Sequence, residues 1–213
     1  VGVSAQAQPV LVKEISRAST DFTTVGDFAY YVSNDSLFRT DGTAEGTIFL
    51  KSGLHWQTDF TAFNDILVFV SRLSSNGYRE VWRSDGTPAG TYVPNESSGF
   101  DVAILGMAGD YLYFSASESG TGKEIFKTDG TLAGTVLLKD INPGGASSLG
   151  DQFTAVGSSL FFSADDGIHG MELWKTDGSS SGTVMVKDIN PGAAHGIGPA
   201  VPVAFNNKLY FSG

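Results

Sequence analysis

The sequence predicts an all-β protein assembled from repeated four-stranded antiparallel sheets, and three observations carry that expectation. One phrase recurs down the chain: Leu37-Phe-Arg-Thr-Asp-Gly-Thr43, Val81-Trp-Arg-Ser-Asp-Gly-Thr87, Ile125-Phe-Lys-Thr-Asp-Gly-Thr131 and Glu172-Leu-Trp-Lys-Thr-Asp-Gly178. Its aspartates, Asp41, Asp85, Asp129 and Asp177, are spaced by 44, 44 and 48 residues, a period that marks stacked or ring-forming units. Five dipeptides that favour left-handed backbone, Gly26-Asp27, Asn64-Asp65, Gly109-Asp110, Gly157-Ser158 and Asn206-Asn207, each separate two apolar runs as hairpin turns do. No segment keeps apolar residues at helical spacing across three turns.

The clearest unit runs from Phe153 to Gly192 and shows each element in order. Phe153–Val156 and Leu160–Ala164 are strand-like runs joined by Gly157-Ser158. A polar loop, Asp165-Asp-Gly-Ile-His-Gly170, leads to the third strand, Met171–Thr176. Asp177-Gly178 opens a turn closed by Gly182-Thr183, because aspartate bonds amides two residues on and glycine accepts positive φ. Val184–Lys187 is the fourth strand, with Pro191 placed beyond it where a missing N–H harms no ladder. Phe161 and Phe162, like Leu173 and Trp174, are adjacent and point to opposite faces. A sheet apolar on both faces is buried on both, so radial repetition into a propeller-like array is the expected architecture.

Four full blades are expected, at about 22–53, 60–95, 102–144 and 153–192, with partial units at both ends. Residues 203–213 hold two strands of a last unit, and residues 10–15, Val10-Leu-Val-Lys-Glu-Ile15, resemble a lone fourth strand. Residues 8–213 thus read as one repeat domain. Residues 1–7 read as the remnant of a signal peptide, with Ala5-x-Ala7 as the small-residue cleavage site. The expected location is therefore secreted or cell-surface.

With 13 basic and 23 acidic residues the net charge is -10, a surface that repels phosphate backbones, so nucleic acid is not an expected partner. No apolar run is long enough to span a membrane as a helix. The absence of cysteine rules out disulfides, thiolate metal sites and cysteine nucleophiles.

The phrase Glu172-Leu-Trp-Lys-Thr-Asp-Gly178, followed by Gly182-Thr183, resembles the ELWxxDGT repeat family of bacterial surface and secreted proteins. The resemblance covers residues from about 10 to the C-terminus. Ser179 stands where Thr is usual, and Asp35-Ser36 stands where Glu80, Glu124 and Glu172 lead the other units. The resemblance implies an exported protein with no catalytic residue in the motif.

Candidates for chemistry are few. The turn residues Asp41, Gly42, Asp85, Gly86, Asp129, Gly130, Asp177 and Gly178 read as structural, since each turn brings one carboxylate and calcium needs about 6–8 oxygens. Asp165-Asp166 is the candidate calcium loop. The expectation is a protein without a structural cofactor, whose melting midpoint excess EDTA leaves unchanged. Arg39, Arg83, Lys127 and Lys175 each lie two positions before an aspartate, on the same strand face, and are expected to form ion pairs with these aspartates within or between copies. His55, His169 and His195 share no metal spacing, are expected in loops and read as solvated. Trp82 and Trp174 occupy the repeat's aromatic position and are expected in the core. Trp56 precedes the second unit and is the candidate exposed binding residue. A glycosidase would need converging arginines, a nucleophile and acid/base carboxylates, and no such set is legible.

These readings lead to a non-catalytic extracellular module for adhesion or assembly, whose partners are other extracellular proteins or copies of itself. Glycan binding through Trp56 and pockets between blades is the alternative, and glycoside hydrolysis the third.

Overall fold

The computed structural model describes residues 22–73, 78–94, 98–99, 102–118, 120–198 and 200–213. The expected strand at 10–15 and the processing remnant at 1–7 lie outside the described residues. Every regular element among those described is a strand. The first sheet holds β1 (Phe22–Val25), β2 (Phe28–Ser33), β3 (Ser36–Thr40) and β4 (Ile48–Ser52). The second holds β5 (Leu54–Phe63), β6 (Ile66–Leu73), β7 (Arg79–Ser84) and β8 (Ser98–Gly99). The third holds β9 (Ala103–Ala108), β10 (Tyr111–Ser117), β11 (Lys123–Thr128) and β12 (Val136–Lys139). The fourth holds β13 (Leu149–Val156), β14 (Ser159–Asp165), β15 (Met171–Thr176) and β16 (Val184–Lys187). A hairpin, β17 (Val203–Phe205) and β18 (Lys208–Tyr210), ends the chain. All neighbours run antiparallel in chain order.

Turn chemistry sets the hairpins. Gly26, Asn64, Gly109, Gly157 and Asn206 all take positive φ, between 46° and 59°. Asp65 and Asn207 follow their partners into the same region, as two-residue turns with both central residues left-handed require. The second sheet departs from the expected unit in two ways. Its first strand begins at Leu54, not near residue 60, and carries register shifts between His55 and Thr58 and between Thr58 and Thr61. These bulges absorb polar residues that break the alternation. Its fourth strand is interrupted: Tyr92 bridges Arg83 in isolation, and Ser98–Gly99 pairs with Arg79 and Glu80.

Each sheet packs on the next, and strand alternation decides which residues meet. Leu67 and Phe69 point to the first sheet, where they join Tyr30, Val32, Leu37 and Leu50 together with Trp82. Val68 and Val70 point the other way and meet Leu112, Phe114 and Phe126 of the third sheet. Tyr113 and Ile125 meet Leu160, Phe162 and Trp174 of the fourth. Burying such a side chain fully contributes about 1.5–3 kcal/mol, so these three seams are the main hold between sheets. Trp82 and Trp174 are both core residues. Among the described residues the row of sheets does not close into a ring. At its start the outward face of the first sheet carries an aromatic row, Phe22, Tyr31, Phe38 and Phe49, with ring centroids 5.4–5.8 Å apart.

Candidate functional site

Each Asp-Gly turn is closed by its own hydrogen bonds. In the third sheet Asp129 Oδ1 accepts from the Thr131 amide at 2.8 Å and the Thr131 hydroxyl at 2.7 Å. The Thr131 hydroxyl oxygen accepts the Gly134 amide at 2.9 Å, and Thr135 Oγ1 donates to the Thr131 carbonyl at 2.6 Å. Thr128 Oγ1 lies 2.7 Å from Thr135 Oγ1 and accepts the Gly130 amide at 2.9 Å. The turns at Asp41 and Asp85 repeat this network, and at Asp177 Ser179 takes the threonine's part. Gly134 must be glycine, because a Cβ there would fall 2.1 Å from Asp129 Oδ1. The carboxylate is thus spent inside the turn.

The same bonds tune these acids. Hydrogen bonds from the hydroxyl and amide of Thr43, Thr131 and Ser179 hold Asp41, Asp129 and Asp177 below the usual carboxylate range. At Asp85 burial pushes upward, but the Thr87 bonds and the Arg83 charge outweigh it. A folded-state value below the unfolded one stabilises the fold above the unfolded value, and that stabilisation is lost as pH falls through the folded value. Glu124 runs the other way: burial raises it, so its ionisation weakens the fold as pH rises through that window. Asp166 is lowered as well: burial pushes upward, but its bonds to the His169 and Ile168 amides outweigh it. With five aspartates against one glutamate, the melting midpoint is expected to fall steeply below about pH 4. Asp129→Asn should lower the midpoint at neutral pH by about 1 kcal/mol of stability, given solvent screening, and flatten the acid limb. Melting curves at stepped pH check both effects.

The basic residues of the repeat do not chiefly pair with their own aspartates. Among the described residues only Arg83 approaches its partner, with Nη2 3.7 Å from Asp85 Oδ2. Instead Arg83 and Lys127 reach the following sheet. Arg83 Nη1 donates to the Gly130 carbonyl at 3.0 Å, and Lys127 Nζ donates to the Gly178 carbonyl at 2.7 Å. Lys139 Nζ donates to the Thr183 carbonyl at 2.7 Å and lies 5.8 Å from the Trp174 ring centroid. The turns at Asp129 and Asp177 therefore also receive the preceding sheet.

Buried glutamates form a second repeated device with no local marker in the sequence beyond their place ahead of the phrase. Glu124, fully buried, accepts from the Ile141 and Ser148 amides and from the Ser148 hydroxyl, at 2.9, 3.2 and 2.6 Å. Glu172 accepts from the Ile189 amide at 3.1 Å. Both fasten the loop after the fourth strand to the third strand.

The remaining candidates separate. Asp165 Oδ1 accepts the Gly167 amide at 2.8 Å. Asp166 accepts the amides of Ile168 and His169 and lies 2.8 Å from His169 Nδ1. Both carboxylates of the candidate calcium loop thus engage their own loop, and no group of three His, Asp or Glu gathers among the described residues. His169 is not simply solvated: the Asp166 hydrogen bond raises its affinity for a proton. His55 lies in β5 with Nδ1 3.3 Å from Asp35 Oδ2. His195 Nδ1 accepts the Met171 amide at 2.8 Å, which places the ring proton of the neutral form on Nε2. Trp56 lies inside β5 and not in a connection ahead of it.

Two clefts open beside the start of β13, and Gly150 and Asp151 line both. The larger, about 550 Å³, lies between the fourth sheet and the terminal segment and adds Gln152, Ser163, Met171 and His195. The smaller, about 360 Å³, brings together Arg79, Ser115, Lys123 and Phe153. Lys123 Nζ is 3.8 Å from Asp151 Oδ1. Nothing in the local sequence announces these clefts, since their walls come from residues dozens of positions apart. They offer donors and acceptors to a polar ligand.

No family model matches the chain, and no curated protein matches it. Among solved structures it is similar to TolB from Acinetobacter baumannii, at 12% identity and a TM-score of 0.43, over 83% of this chain and 43% of that one. It is also similar to a puromycin hydrolase mutant complexed with PGG, at 14% identity and a TM-score of 0.45, over 88% of this chain and 34% of that one. The chain spans less than half the length of either protein.

Proposed function

We propose that the chain is a non-catalytic structural and interaction module of the cell exterior, a propeller-like member of the ELWxxDGT repeat family that joins other extracellular proteins or copies of itself. One observation supports this reading: the sheets bury their faces against one another, and the first sheet and the terminal hairpin both carry exposed large apolar side chains. Phe22 and Phe49 are 58% and 49% exposed at one end, and Val203, Phe205 and Tyr210 are 54–62% exposed at the other. Uncovered apolar surface of this kind marks interaction sites. The aspartates of the repeated phrase and the hydroxyls that follow them are engaged in closing its turns, which supports a structural role for the phrase.

Sedimentation velocity over a range of concentrations tests the proposal. Concentration-dependent association that Phe205→Ser with Tyr210→Ser abolishes is the expected result. A monomer at all concentrations that binds sugars on a glycan array, with binding lost on Trp56→Ala, would instead establish the lectin reading, which the smaller cleft, with Arg79, Ser115, Lys123 and Asp151 in its wall, favours. Turnover of a chromogenic glycoside would refute the non-catalytic assignment outright.

A further inference from the structure

We propose that the smaller cleft, where the second, third and fourth sheets meet, binds an acidic sugar, with Arg79 and Lys123 holding the carboxylate of a uronic acid. The site goes beyond the interaction-module reading and does not depend on the exposed apolar side chains that support it. The cleft lies at the end of the sheets away from the Asp-Gly turns. β7 and β11 start at Arg79 and Lys123 and run to Ser84 and Thr128, just ahead of those turns, so the two ends are roughly 17 Å apart. The carboxylates and hydroxyls that close the turns are remote from it.

Charge at this end departs from the repeat. The position directly ahead of the leading glutamate is Arg79 in the second sheet, Lys123 in the third and Met171 in the fourth. Two cations thus fall in neighbouring sheets, and both line the cleft. A third stands beside them, because Arg72 is directly opposite Arg79 across β6 and β7. By strand alternation both arginines share the face of Val70 and Val81, which packs on the third sheet. Like charges directly opposite one another destabilise a sheet, and neither arginine forms an ion pair with a described residue. Arg72 Nε is buried with no hydrogen-bond partner among the described residues. Lys123 does meet Asp151, but at 3.8 Å and with the Asp151 side chain 98% exposed. A pair so open to solvent contributes little and is readily exchanged. The chain carries a net charge of -10, yet here the described charge is positive.

These groups specify the ligand. A guanidinium is planar and takes a carboxylate through two parallel N–H bonds, to which a lysine adds a point charge. Asp151 beside them accepts hydroxyls, and Val102, Leu105 and Phe153 supply an apolar wall. A pyranose bearing a carboxylate offers a matching set: one anionic group, ring hydroxyls and a C–H face. The cleft volume of about 360 Å³ is at the low end for small-molecule sites and has room for about two sugar rings. A neutral sugar would leave the facing arginines unbalanced. A long polyanion would meet repulsion from the acidic remainder of the surface.

Calorimetric titration of the full chain with digalacturonic acid tests the site. Saturable binding is expected, about tenfold weaker for the dimethyl ester, which keeps the rings and loses the charge. Arg79→Gln and Lys123→Gln should each weaken binding of the acid about tenfold. Lys175→Gln, at an exposed lysine of β15 outside the cleft, should leave it unchanged. A readout that needs no variant is the set of amide resonances shifted by the ligand, expected to centre on residues 102–105, 123 and 150–153. The proposal is overturned by binding that does not saturate, by equal affinity for acid and ester, or by binding indifferent to both cleft substitutions. Shifts centred on another part of the chain overturn it too, as does equal affinity for succinate, a carboxylate without a sugar. None of these outcomes bears on the concentration dependence of sedimentation, so the module reading stands or falls separately.

Discussion

Phe114→Ala is expected to destabilise the protein by about 3–5 kcal/mol, the range for deleting a large buried aromatic. Phe114 is 1% exposed and sits in the seam between the second and third sheets with Val68, Val70 and Val81. Within its own sheet it lies opposite Phe126, with the rings stacked at 5.4 Å. Removing the ring strips contacts from both sheets at once. The hole cannot close, because its walls are two hydrogen-bonded ladders held apart by the remaining side chains of the seam. Phe205→Ala supplies the comparison: that ring is 62% exposed, and such surface changes stay within about 0.5 kcal/mol. Urea unfolding followed by circular dichroism measures both. A loss below about 1 kcal/mol for Phe114→Ala would mean that the sheets do not lean on one another as described.

That seam was legible in outline from adjacent apolar residues such as Phe161 and Phe162, which demand burial on both faces of a sheet. The hairpins were legible too, because Asn and Gly in the turn dipeptides leave few other backbone choices. The destination of the long side chains was not. Lys127 and Asp129 share a strand face, so local spacing suggested an ion pair. The lysine instead extends to the Gly178 carbonyl, 51 residues away, since the fourth sheet packs on the face that the lysine leaves. Local alternation says which face a residue occupies and nothing about what is stacked on that face. The start of β5 was hidden for a related reason. His55, Gln57, Thr58 and Asp59 interrupt the period of two, and only the partner strand reveals that bulges, with Asp59 at φ 58°, carry the strand through them. The clefts around Asp151 were the least accessible of all, being made where separate sheets meet.

Gly178→Ala is the second large effect expected, at about 2–5 kcal/mol, and it probes the seam from the turn side. Two costs combine. Gly178 has φ +90°, a backbone state that costs an L-residue about 1–2 kcal/mol. A Cβ there would also lie 2.6 Å from Tyr111 Cδ2 and 3.1 Å from Tyr113 Oη, and forced overpacking costs about 1–3 kcal/mol. Neither ring has room to yield. Tyr113 is fully buried, and the Lys127 ammonium lies 4.0 Å from the centroid of Tyr111 while bonding the Gly178 carbonyl. A methyl group at this point therefore presses apart the third and fourth sheets and disturbs their cationic latch together. Gly42 separates the two costs. It has φ +91° in the same turn, but nothing lies within 4 Å of its Cβ position, because no described sheet precedes the first. Gly42→Ala should thus show the backbone cost alone, about 1–2 kcal/mol. The difference between the two alanine variants in urea midpoint isolates the contact between sheets. Equal losses at both positions would show that the preceding sheet does not bear on the turn, and the latch drawn from Lys127 to Gly178 would lose its energetic meaning.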